Sequence, residues 1–315
     1  MTFIGTPAAL RHGAGNSNSL LDTAAYSTFA RYDTLDVTLE AESRTHWCRM
    51  QPLGRPCFNM DILLDLSTMQ QRLRGLFAAA APGAAPALYH VLASRTPGVF
   101  NLGGDLGHFA ERIRAGDRAT LRRYGEACIR TVHDNAIAYD LPLVTVALVQ
   151  GDALGGGFEC ALAFDVIVAE RRAKFGLPEI IFNLFPGMGA YSFLARRIGT
   201  VAAEKMIMSG RLYSAEELHA MGVVDVLAED GEGEVVVRQY IAQQTRRHNA
   251  HLAIYRARRR ANPVSYEELS DILDIWVDAA LALPEMDLRK MMRLAAAQDR
   301  RMESVSAPRS SFAAS

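Results

Sequence analysis

The sequence lacks the features that mark several common protein classes. Its 315 residues include four cysteines, at positions 48, 57, 128 and 160, and no two of them form a C-x-x-C pair. A disulfide framework is therefore not indicated, and we expect reduced thiols that bind no metal. Lysine and arginine number 34 against 35 acidic residues, so the net charge of −1 gives no general attraction to nucleic acid or to an anionic membrane.

Long apolar runs are also missing. No stretch approaches the roughly 20 apolar residues that a helix needs to span a bilayer. The N-terminus has no basic start followed by an apolar segment, as a secretory signal would have. We therefore expect a soluble, cytoplasmic protein with neither nucleic acid nor membrane as a partner. Hydrophobic residues make up 50% of the chain, which is enough for one large core.

The order of apolar patterns predicts an α/β protein. Strand-like runs at 87–93 and 144–150 alternate with glycine turns and with helical patterns at 60–76 and 118–140. This alternation is typical of helices packed around largely parallel strands, with functional loops at the carboxyl ends of the strands. Beyond Pro186 the pattern becomes helical. We predict a mobile N-terminal arm (1–33), a core domain (34–232), a C-terminal helical module (233–304) and a disordered tail (305–315).

Two glycine turns each follow a predicted strand. The first contains Gly103 and Gly104, and the second contains three glycines beginning at Gly155. Either turn alone is compatible with an ordinary connection between a strand and a helix. Together they can direct two backbone N–H groups at one oxygen atom, as an oxyanion hole does. Neither turn has the spacing of a phosphate-binding or dinucleotide-binding loop.

Two glutamates accompany these turns. Glu159 lies in the first helical turn after the glycine triplet, where we expect the helix dipole to stabilise its ionised form. Glu179 follows Pro178 in an apolar loop, where desolvation is expected to raise its pKa toward the range of a useful acid. Such a pair suits divided acid and base work. Alternatively, Glu159 is a structural helix carboxylate and Glu179 pairs with Arg171 or Arg172.

The motifs FNLGGDL, ALVQGDALGGGFE and FGLPE resemble the signature of the crotonase (enoyl-CoA hydratase) superfamily. The resemblance implies the ClpP/crotonase-like spiral fold of ββα units with a helical C-terminal module. It also implies that Glu159 and Glu179 are the catalytic pair. Within the same resemblance, the oxyanion hole is formed by the N–H groups of Leu102, or the adjacent Gly103, and of Gly156. No metal or cofactor is implied, because the substrate is itself a thioester of acyl carrier protein or coenzyme A.

A closer resemblance extends over residues 36–302 and adds the motifs NLFPGMGAYSFL and DIWVDAAL. Together the motifs resemble the diffusible signal factor synthases of bacterial quorum sensing. This implies a dehydratase joined to a thioesterase, which converts a 3-hydroxyacyl thioester to a free cis-2-unsaturated medium-chain fatty acid. By analogy with these synthases, the residues expected to contact substrate are Gly104, Leu154, Gly155, Phe158, Met188 and Trp276. The alternative for the apolar side chains among them is ordinary core packing, since apolar residues at helical spacing are typical of a core.

A basic run at 255–260, which includes Arg258 and Arg259, is the densest positive patch in the sequence. It suits an acidic carrier protein or the phosphates of coenzyme A, and a solvated helix face is the alternative. The resemblance also allows a sensor-kinase partner. It implies a homotrimer or a hexamer, in which the apolar faces of the C-terminal helices pack on a neighbour.

Three other functions remain open from the sequence. An ordinary enoyl-CoA hydratase would use the same residues, prefer coenzyme A and keep the thioester intact. An interaction protein would act mainly by docking on a signalling partner. A decarboxylase or isomerase of the same fold is less favoured, because both glutamate positions are filled here and such relatives commonly alter one of them.

Overall fold

Residues 31–306 are described by a computed structural model of the chain. The predicted N-terminal arm and C-terminal tail therefore lie outside the described residues, apart from their innermost few positions. Two β-sheets form the centre of the fold. The larger sheet has the strand order β1 (Leu35–Glu40), β2 (Thr45–Met50), β3 (Tyr89–Ser94), β5 (Val144–Val149), β7 (Val166–Glu170) and β10 (Val226–Ala228). The smaller sheet has the order β4 (Val99–Asn101), β6 (Asp152–Leu154), β8 (Lys174–Gly176) and β9 (Leu212–Ser214).

The strand pairing produces a spiral. β1 and β2 form an antiparallel hairpin, and the other neighbouring strands of the larger sheet run parallel. In the smaller sheet β4, β6 and β8 are parallel, and β9 pairs antiparallel with β8. From β3 to β8 successive strands alternate between the two sheets, and a helix follows each strand pair. The predicted α/β fold of ββα units is confirmed.

The smaller sheet brings the sequence motifs together. Its strands β4, β6 and β8 are parallel neighbours, so their carboxyl ends lie at the same edge. β4 leads into the turn at Gly103, β6 leads into the turn at Gly155, and β8 leads into the loop that carries Glu179. The three motifs therefore lie close together because the strands that precede them are neighbours in the sheet, although the motifs are separated in the sequence.

Helices complete the described part of the chain. Asp105 caps the first helix after β4, since its Oδ1 accepts a hydrogen bond from the His108 N–H at 3.0 Å. Short 3-10 helices occupy Ala138–Asp140 and Pro178–Phe182. The α-helices are α1 (Met60–Ala79), α2 (Leu106–Arg114), α3 (Arg118–Ala136), α4 (Gly156–Leu162), α5 (Ala190–Ile198), α6 (Thr200–Ser209), α7 (Ala215–Ala220), α8 (Gly233–Thr245), α9 (His248–Ala261), α10 (Tyr266–Leu281) and α11 (Glu285–Ser306).

One predicted helix is shorter in the structure. The pattern at 118–140 predicts a continuous helix, whereas α3 ends at Ala136. The chain then takes positive φ angles of 48°, 59° and 57° at Ala138, Tyr139 and Asp140. Such angles cannot continue a right-handed helix. The buried Tyr139 hydroxyl donates to Asn135 at 2.7 Å, which fixes the turn against the end of α3.

The C-terminal helices pack on the elements that follow β4. α10 lies along α3, and Leu273 sits so close to Gly125 that a Cβ there would be 2.2 Å from the leucine. Arg122 of α3 also forms an ion pair with Asp274 of α10 at 2.8 Å. α11 contacts α2 and the short helix Pro178–Phe182. Within residues 31–306, no helix combines the length and apolar character needed to cross a membrane.

Candidate active site

A mainly apolar cavity lies where the two glycine turns meet α3, α10 and α11. Glu159 and Glu179 both line it, although they come from different strand connections. Its wall also includes several residues predicted to contact substrate or oxyanion, namely Leu102, Gly104, Gly155, Gly156, Met188 and Trp276. The structure therefore brings together most of the residues that the motifs identified.

The two glycine turns touch each other through their backbones. A Cβ at Gly103 would lie 2.8 Å from the Leu154 carbonyl oxygen and 3.0 Å from the Gly156 nitrogen. Gly103 also has a φ of +92°, and Gly155 has a φ of +48°. A Cβ at Gly155 would be 2.5 Å from Glu179 Oε1. Glycine is required at these positions because both the backbone conformation and the contact exclude a side chain.

The structure corrects the assignment of the first oxyanion donor. The Leu102 N–H donates to the Pro56 carbonyl oxygen at 2.8 Å, and the Gly103 N–H donates to Asn101 Oδ1 at 2.8 Å. Neither N–H group is free to bind a substrate oxygen. In the part of the chain that the structure describes, the N–H groups of Gly104 and Gly156 have no hydrogen-bond acceptor.

Gly104 and Gly156 present these unused N–H groups side by side. A Cβ built on Gly156 would lie 3.6 Å from the Gly104 nitrogen, so the two turns converge there. Gly156 also opens α4, where the N–H groups of the first turn have no partner within the helix. Gly104, which the sequence suggested only as a substrate contact, is therefore the candidate donor from the first turn. Gly156 remains the predicted second donor.

Glu159 is almost completely buried, with 1% of its surface exposed. Its Oε1 accepts hydrogen bonds from the Met188 N–H at 2.7 Å and from the Ala190 N–H, at the start of α5, at 2.9 Å. These bonds favour the ionised form, but burial outweighs them and raises the pKa of Glu159 to about 7. Desolvation therefore has a larger effect on Glu159 than the interactions that favour its ionised form.

Glu179 provides the second carboxyl group and is half-buried. Burial and the neighbouring charge of Glu159 raise the pKa of Glu179 to about 8, in the predicted direction. Its Oε2 is buried and has no hydrogen-bond partner among the described residues. Arg171 instead pairs with Glu229 at 2.7 Å, and Arg172 pairs with Glu170 at 2.9 Å. The alternative of a structural ion pair between Glu179 and either arginine is therefore wrong.

Comparison with known proteins agrees with this geometry. The model of the enoyl-CoA hydratase/isomerase family matches residues 89–269. The chain belongs to the enoyl-CoA hydratase/isomerase family. Among curated relatives, the 2,3-dehydroadipyl-CoA hydratase of Escherichia coli K12 is 33% identical over 209 residues, which cover 66% of this chain and 72% of the relative. Rat mitochondrial methylglutaconyl-CoA hydratase is 34% identical over 161 residues, which cover 47% of this chain and 45% of the relative. The chain thus spans about half the length of several curated relatives that it matches.

Solved structures show that the fold is that of this family. The enoyl-CoA hydratase of Bacillus halodurans superposes with a TM-score of 0.68 at 20% identity and covers 83% of this chain and 100% of its own. The structure of Pseudomonas aeruginosa DspI superposes with a TM-score of 0.60 at 25% identity and covers 80% of this chain and 97% of its own. The crotonase-type fold implied by the sequence motifs is therefore confirmed.

Two of the predicted acyl-pocket residues, Met188 and Trp276, lie in the wall of the cavity. Met188 packs against Gly156, where a Cβ would be 2.4 Å from its sulfur atom. Trp276 reaches in from α10 and packs on Gly187, where a Cβ would be 2.6 Å from the indole ring. At these positions of Met188 and Trp276, neither Gly156 nor Gly187 has room for a Cβ. The two bulky side chains and the two glycines together therefore set the width of the cavity.

Two other predicted pocket residues lie elsewhere. Leu154 packs with Val99 and Leu102 and lines a neighbouring outer groove rather than the inner cavity. Phe158 is fully buried, packs edge-to-face on Phe175 with ring centres 5.2 Å apart, and lines neither space. The assignment of Phe158 to the pocket is wrong, because its side chain points from α4 into the protein core.

Several cavity residues were not predicted. Tyr124 and Cys128 face the cavity from α3, and Leu273 faces it from α10. The only sequence signal was their helical spacing, since Tyr124 and Cys128 are four residues apart and share one face. The same spacing occurs in any helix that packs on a core, so the signal does not distinguish a cavity wall from the interior.

Two arginines of the basic run pair with a buried carboxylate. Arg258 donates to Asp165 Oδ1 at 2.8 Å, and Arg259 donates to the same atom at 2.7 Å. Asp165 is only 2% exposed. These two arginines therefore compensate a buried carboxylate, while Arg256 and Arg260 are exposed, as the alternative of a solvated helix face predicts. The contact with an acidic carrier stays a prediction.

Proposed function

We propose that the chain is a dehydratase and thioesterase that converts a 3-hydroxyacyl thioester to a free cis-2-unsaturated medium-chain fatty acid of the diffusible signal factor type. One observation carries the proposal. Glu159, which is buried, and Glu179, which is half-buried, have no cationic partner among the described residues and line the same cavity as the N–H groups of Gly104 and Gly156. The motifs FNLGGDL and DIWVDAAL, which resemble the synthases of this signal, support the choice within the family.

The first step is the loss of water from the substrate. The thioester carbonyl oxygen accepts hydrogen bonds from Gly104 and Gly156, which stabilises the enolate formed at that oxygen. One glutamate removes the proton next to the carbonyl, and the other protonates the departing 3-hydroxyl group. With pKa values of about 7 and about 8, Glu159 and Glu179 together hold at least one proton near neutral pH. The pair thus supplies a base and an acid at the same time.

The second step is hydrolysis of the unsaturated thioester. Water attacks the carbonyl carbon while a carboxylate accepts a proton from it, and the same two N–H groups stabilise the tetrahedral oxyanion. The carbon–sulfur bond then breaks, the thiol leaves with a proton, and the free acid remains. One site can catalyse both steps because each step places negative charge on the same oxygen atom.

The shape of the site suits an acyl chain on a flexible arm. The inner cavity is bounded by Phe109, Leu273 and Trp276, which suit an apolar tail. An outer groove of about 310 Å³ adjoins it, and both spaces are lined by Leu102 and Pro178. We propose that the groove holds the pantetheine arm that acyl carrier protein and coenzyme A share. A homotrimer or hexamer, and a sensor kinase as a partner, belong to the same proposal.

An ordinary enoyl-CoA hydratase is the second candidate. The similarity to Escherichia coli 2,3-dehydroadipyl-CoA hydratase over 72% of that relative favours it. It would use the same two glutamates and the same N–H groups. The difference lies in the product, because a hydratase leaves the thioester bond intact.

Product analysis separates the two candidates. The purified chain is incubated with 3-hydroxyacyl thioesters of graded chain length, prepared in matched forms on acyl carrier protein and on coenzyme A. Mass spectrometry then follows the free acid, the unsaturated thioester and the starting material. Free 2-unsaturated acid supports the proposal, whereas reversible dehydration with an intact thioester supports the hydratase. A variant that carries both Glu159→Gln and Glu179→Gln is the control for background hydrolysis.

A further inference from the structure

We propose that Tyr124 is a positioning residue whose hydroxyl group holds the turn that presents the Gly104 N–H to the substrate. The inference rests on the proposed function, since it concerns the oxyanion donor of that reaction. It identifies a side chain from α3, outside the sequence motifs, as part of the machinery that fixes this donor.

The hydroxyl group of Tyr124 joins two segments of backbone on either side of the turn. It donates a short hydrogen bond to the Phe58 carbonyl oxygen and accepts one from the Asp105 N–H at 3.2 Å. The Phe58 N–H in turn donates to the Gly103 carbonyl oxygen at 2.7 Å. Gly104 lies between these two anchored residues. The segment at Phe58 therefore holds Gly104 on both sides. One link is the hydrogen bond from the Phe58 N–H to Gly103, and the other runs from the Phe58 carbonyl oxygen through the Tyr124 hydroxyl group to Asp105.

Aromatic packing fixes the same turn from the cavity side. The ring of Phe109 contacts the ring of Tyr124 edge-to-face, with centres 5.1 Å apart. A Cβ at Gly104 would lie 2.6 Å from the Phe109 ring and 3.6 Å from the Tyr124 oxygen. The backbone of Gly104 therefore rests against both aromatic side chains. Tyr124 itself is 3% exposed, so it has little freedom to adopt another position.

The hydrogen of the Tyr124 hydroxyl group is committed to protein backbone. It has no proton to offer a substrate while it bonds to Phe58, although its ring lines the cavity. Loss of the hydroxyl leaves the Phe58 carbonyl and the Asp105 N–H without this partner, so the Gly104 peptide is free to tilt. An oxyanion donor acts only within a narrow range of distance and direction. The expected defect is therefore in the transition state rather than in substrate binding.

The test compares Tyr124→Phe with a matched control, Tyr139→Phe. Tyr139 is also buried, and its hydroxyl donates a hydrogen bond to Asn135 at 2.7 Å, but it does not line the cavity. Each substitution removes one buried hydroxyl and keeps the ring. For Tyr124→Phe we expect kcat to fall about 10-fold with KM within about 2-fold, because a loosened donor loses part of the 100-fold or greater effect of a fixed one. For Tyr139→Phe we expect kcat close to that of the unmodified protein.

A spectroscopic measurement reports on the carbonyl directly. Bound para-dimethylaminocinnamoyl-CoA absorbs at longer wavelength when its thioester carbonyl is polarised by hydrogen bonds. We expect this red shift in the unmodified protein and in Tyr139→Phe, and a smaller shift in Tyr124→Phe. A full red shift and unchanged kcat in Tyr124→Phe would overturn the inference, as would equal losses of kcat in both variants. The absence of a shift in the unmodified protein would instead refute the proposed oxyanion site, and the inference with it.

Discussion

Among the regions of this protein that bury carboxyl groups, the surroundings of Asp165 and those of the cavity differ. Asp165 follows Glu159 by only six residues along the chain, and both are almost fully buried, at 2% and 1% exposure. Asp165 is paired with Arg258 and Arg259 and also accepts a hydrogen bond from the Thr145 N–H at 3.1 Å. Its negative charge is therefore compensated on several sides.

Within residues 31–306, the carboxyl groups in the cavity have no such compensation. Glu159 accepts two backbone hydrogen bonds, and Glu179 has one buried oxygen atom with no partner among the described residues. The pKa values of both rise toward neutrality, first because of burial. A buried carboxylate that serves stability is paired, whereas one that exchanges protons is left partly unpaired. The comparison thus assigns Asp165 to the architecture and supports the proposal that the two glutamates carry the chemistry.

Replacement of either glutamate should have the largest effect. For Glu159→Gln and for Glu179→Gln we expect the rate of free-acid release to fall about 10³-fold, the middle of the range for loss of a general acid or base. The free energy of unfolding should stay the same or rise, because an uncompensated buried ionisable group is removed. The measurement is product formation by mass spectrometry alongside urea denaturation. A variant that keeps more than about a tenth of the activity would remove that glutamate from the proposed acid/base pair.

The pH dependence of stability should reveal the raised pKa values of the two glutamates. Folding raises the pKa of Glu159 from 4.5 to about 7 and that of Glu179 from 4.5 to about 8. Above their unfolded pKa the unfolded chain has released both protons, while the folded chain still holds them. Stability is therefore greatest at low pH for this pair and falls as pH rises through the folded pKa values, by about 1.4 kcal/mol per pH unit for each proton retained.

The difference between two proteins isolates this contribution from other titrating groups. Urea denaturation is followed from about pH 5 to about pH 8 for the unmodified chain and for the Glu159→Gln, Glu179→Gln double variant. We expect the double variant to gain stability relative to the unmodified chain as pH rises, by several kcal/mol over the range. Parallel curves for the two proteins would show that the glutamates are ordinary ionised carboxylates in the folded state.

Removal of the charge at Asp165 should have the opposite effect to replacement of a glutamate: it should lower the stability and leave kcat nearly unchanged. For Asp165→Asn we expect a loss of about 3 kcal/mol in the free energy of unfolding, because two arginines lose a buried partner. The kcat of the molecules that remain folded should be nearly unchanged, since Asp165 does not line the cavity. Urea denaturation and product release on the same preparation test both statements. A fall in kcat at unchanged stability would contradict the assignment of Asp165 to the architecture.

The fold and the acid pair could be predicted because their signals are local. Apolar runs identified the longer strands β3 and β5, and the glycine triplet with Glu159 occupies one short segment. The three-residue strands β4, β6, β8, β9 and β10 were not predicted. Strands of that length are defined by pairing with distant partners, such as Ala153 with Phe175, rather than by their own composition.

The remaining features of the site depend on contacts between distant segments. Gly104 is the candidate donor of the first turn because the two preceding N–H groups are already bonded. That of Leu102 donates to the Pro56 carbonyl oxygen, and that of Gly103 donates to the Asn101 side chain. The high pKa of Glu159 depends on complete burial, which opposes the local effect of its helix position. Tyr124 has the helical spacing of a core residue, and only the folded structure shows its hydroxyl at the turn. Such information is absent from any single stretch of sequence.

The smallest loss of stability is expected from substitution of Arg258, one of the two arginines that pair with Asp165. Its side chain is 44% exposed, whereas that of Arg259 is 18% exposed, so Arg259 provides most of the buried compensation for Asp165. We expect Arg258→Gln to cost about 1 kcal/mol of stability or less, since Arg259 still bonds both oxygen atoms of Asp165. Arg259→Gln should cost more and serves as the matched variant.

Binding of acyl carrier protein decides whether Arg258 has a second role. If the arginine serves Asp165 alone, Arg258→Gln leaves the affinity for the carrier and its dependence on salt unchanged. A direct contact with an acidic carrier would instead weaken binding most at low ionic strength, where the attraction between charges is least screened. Titration calorimetry at two salt concentrations distinguishes these results. A salt-dependent loss of affinity without a loss of stability would place Arg258 at the carrier surface, because an internal partner of Asp165 affects folding before it affects binding.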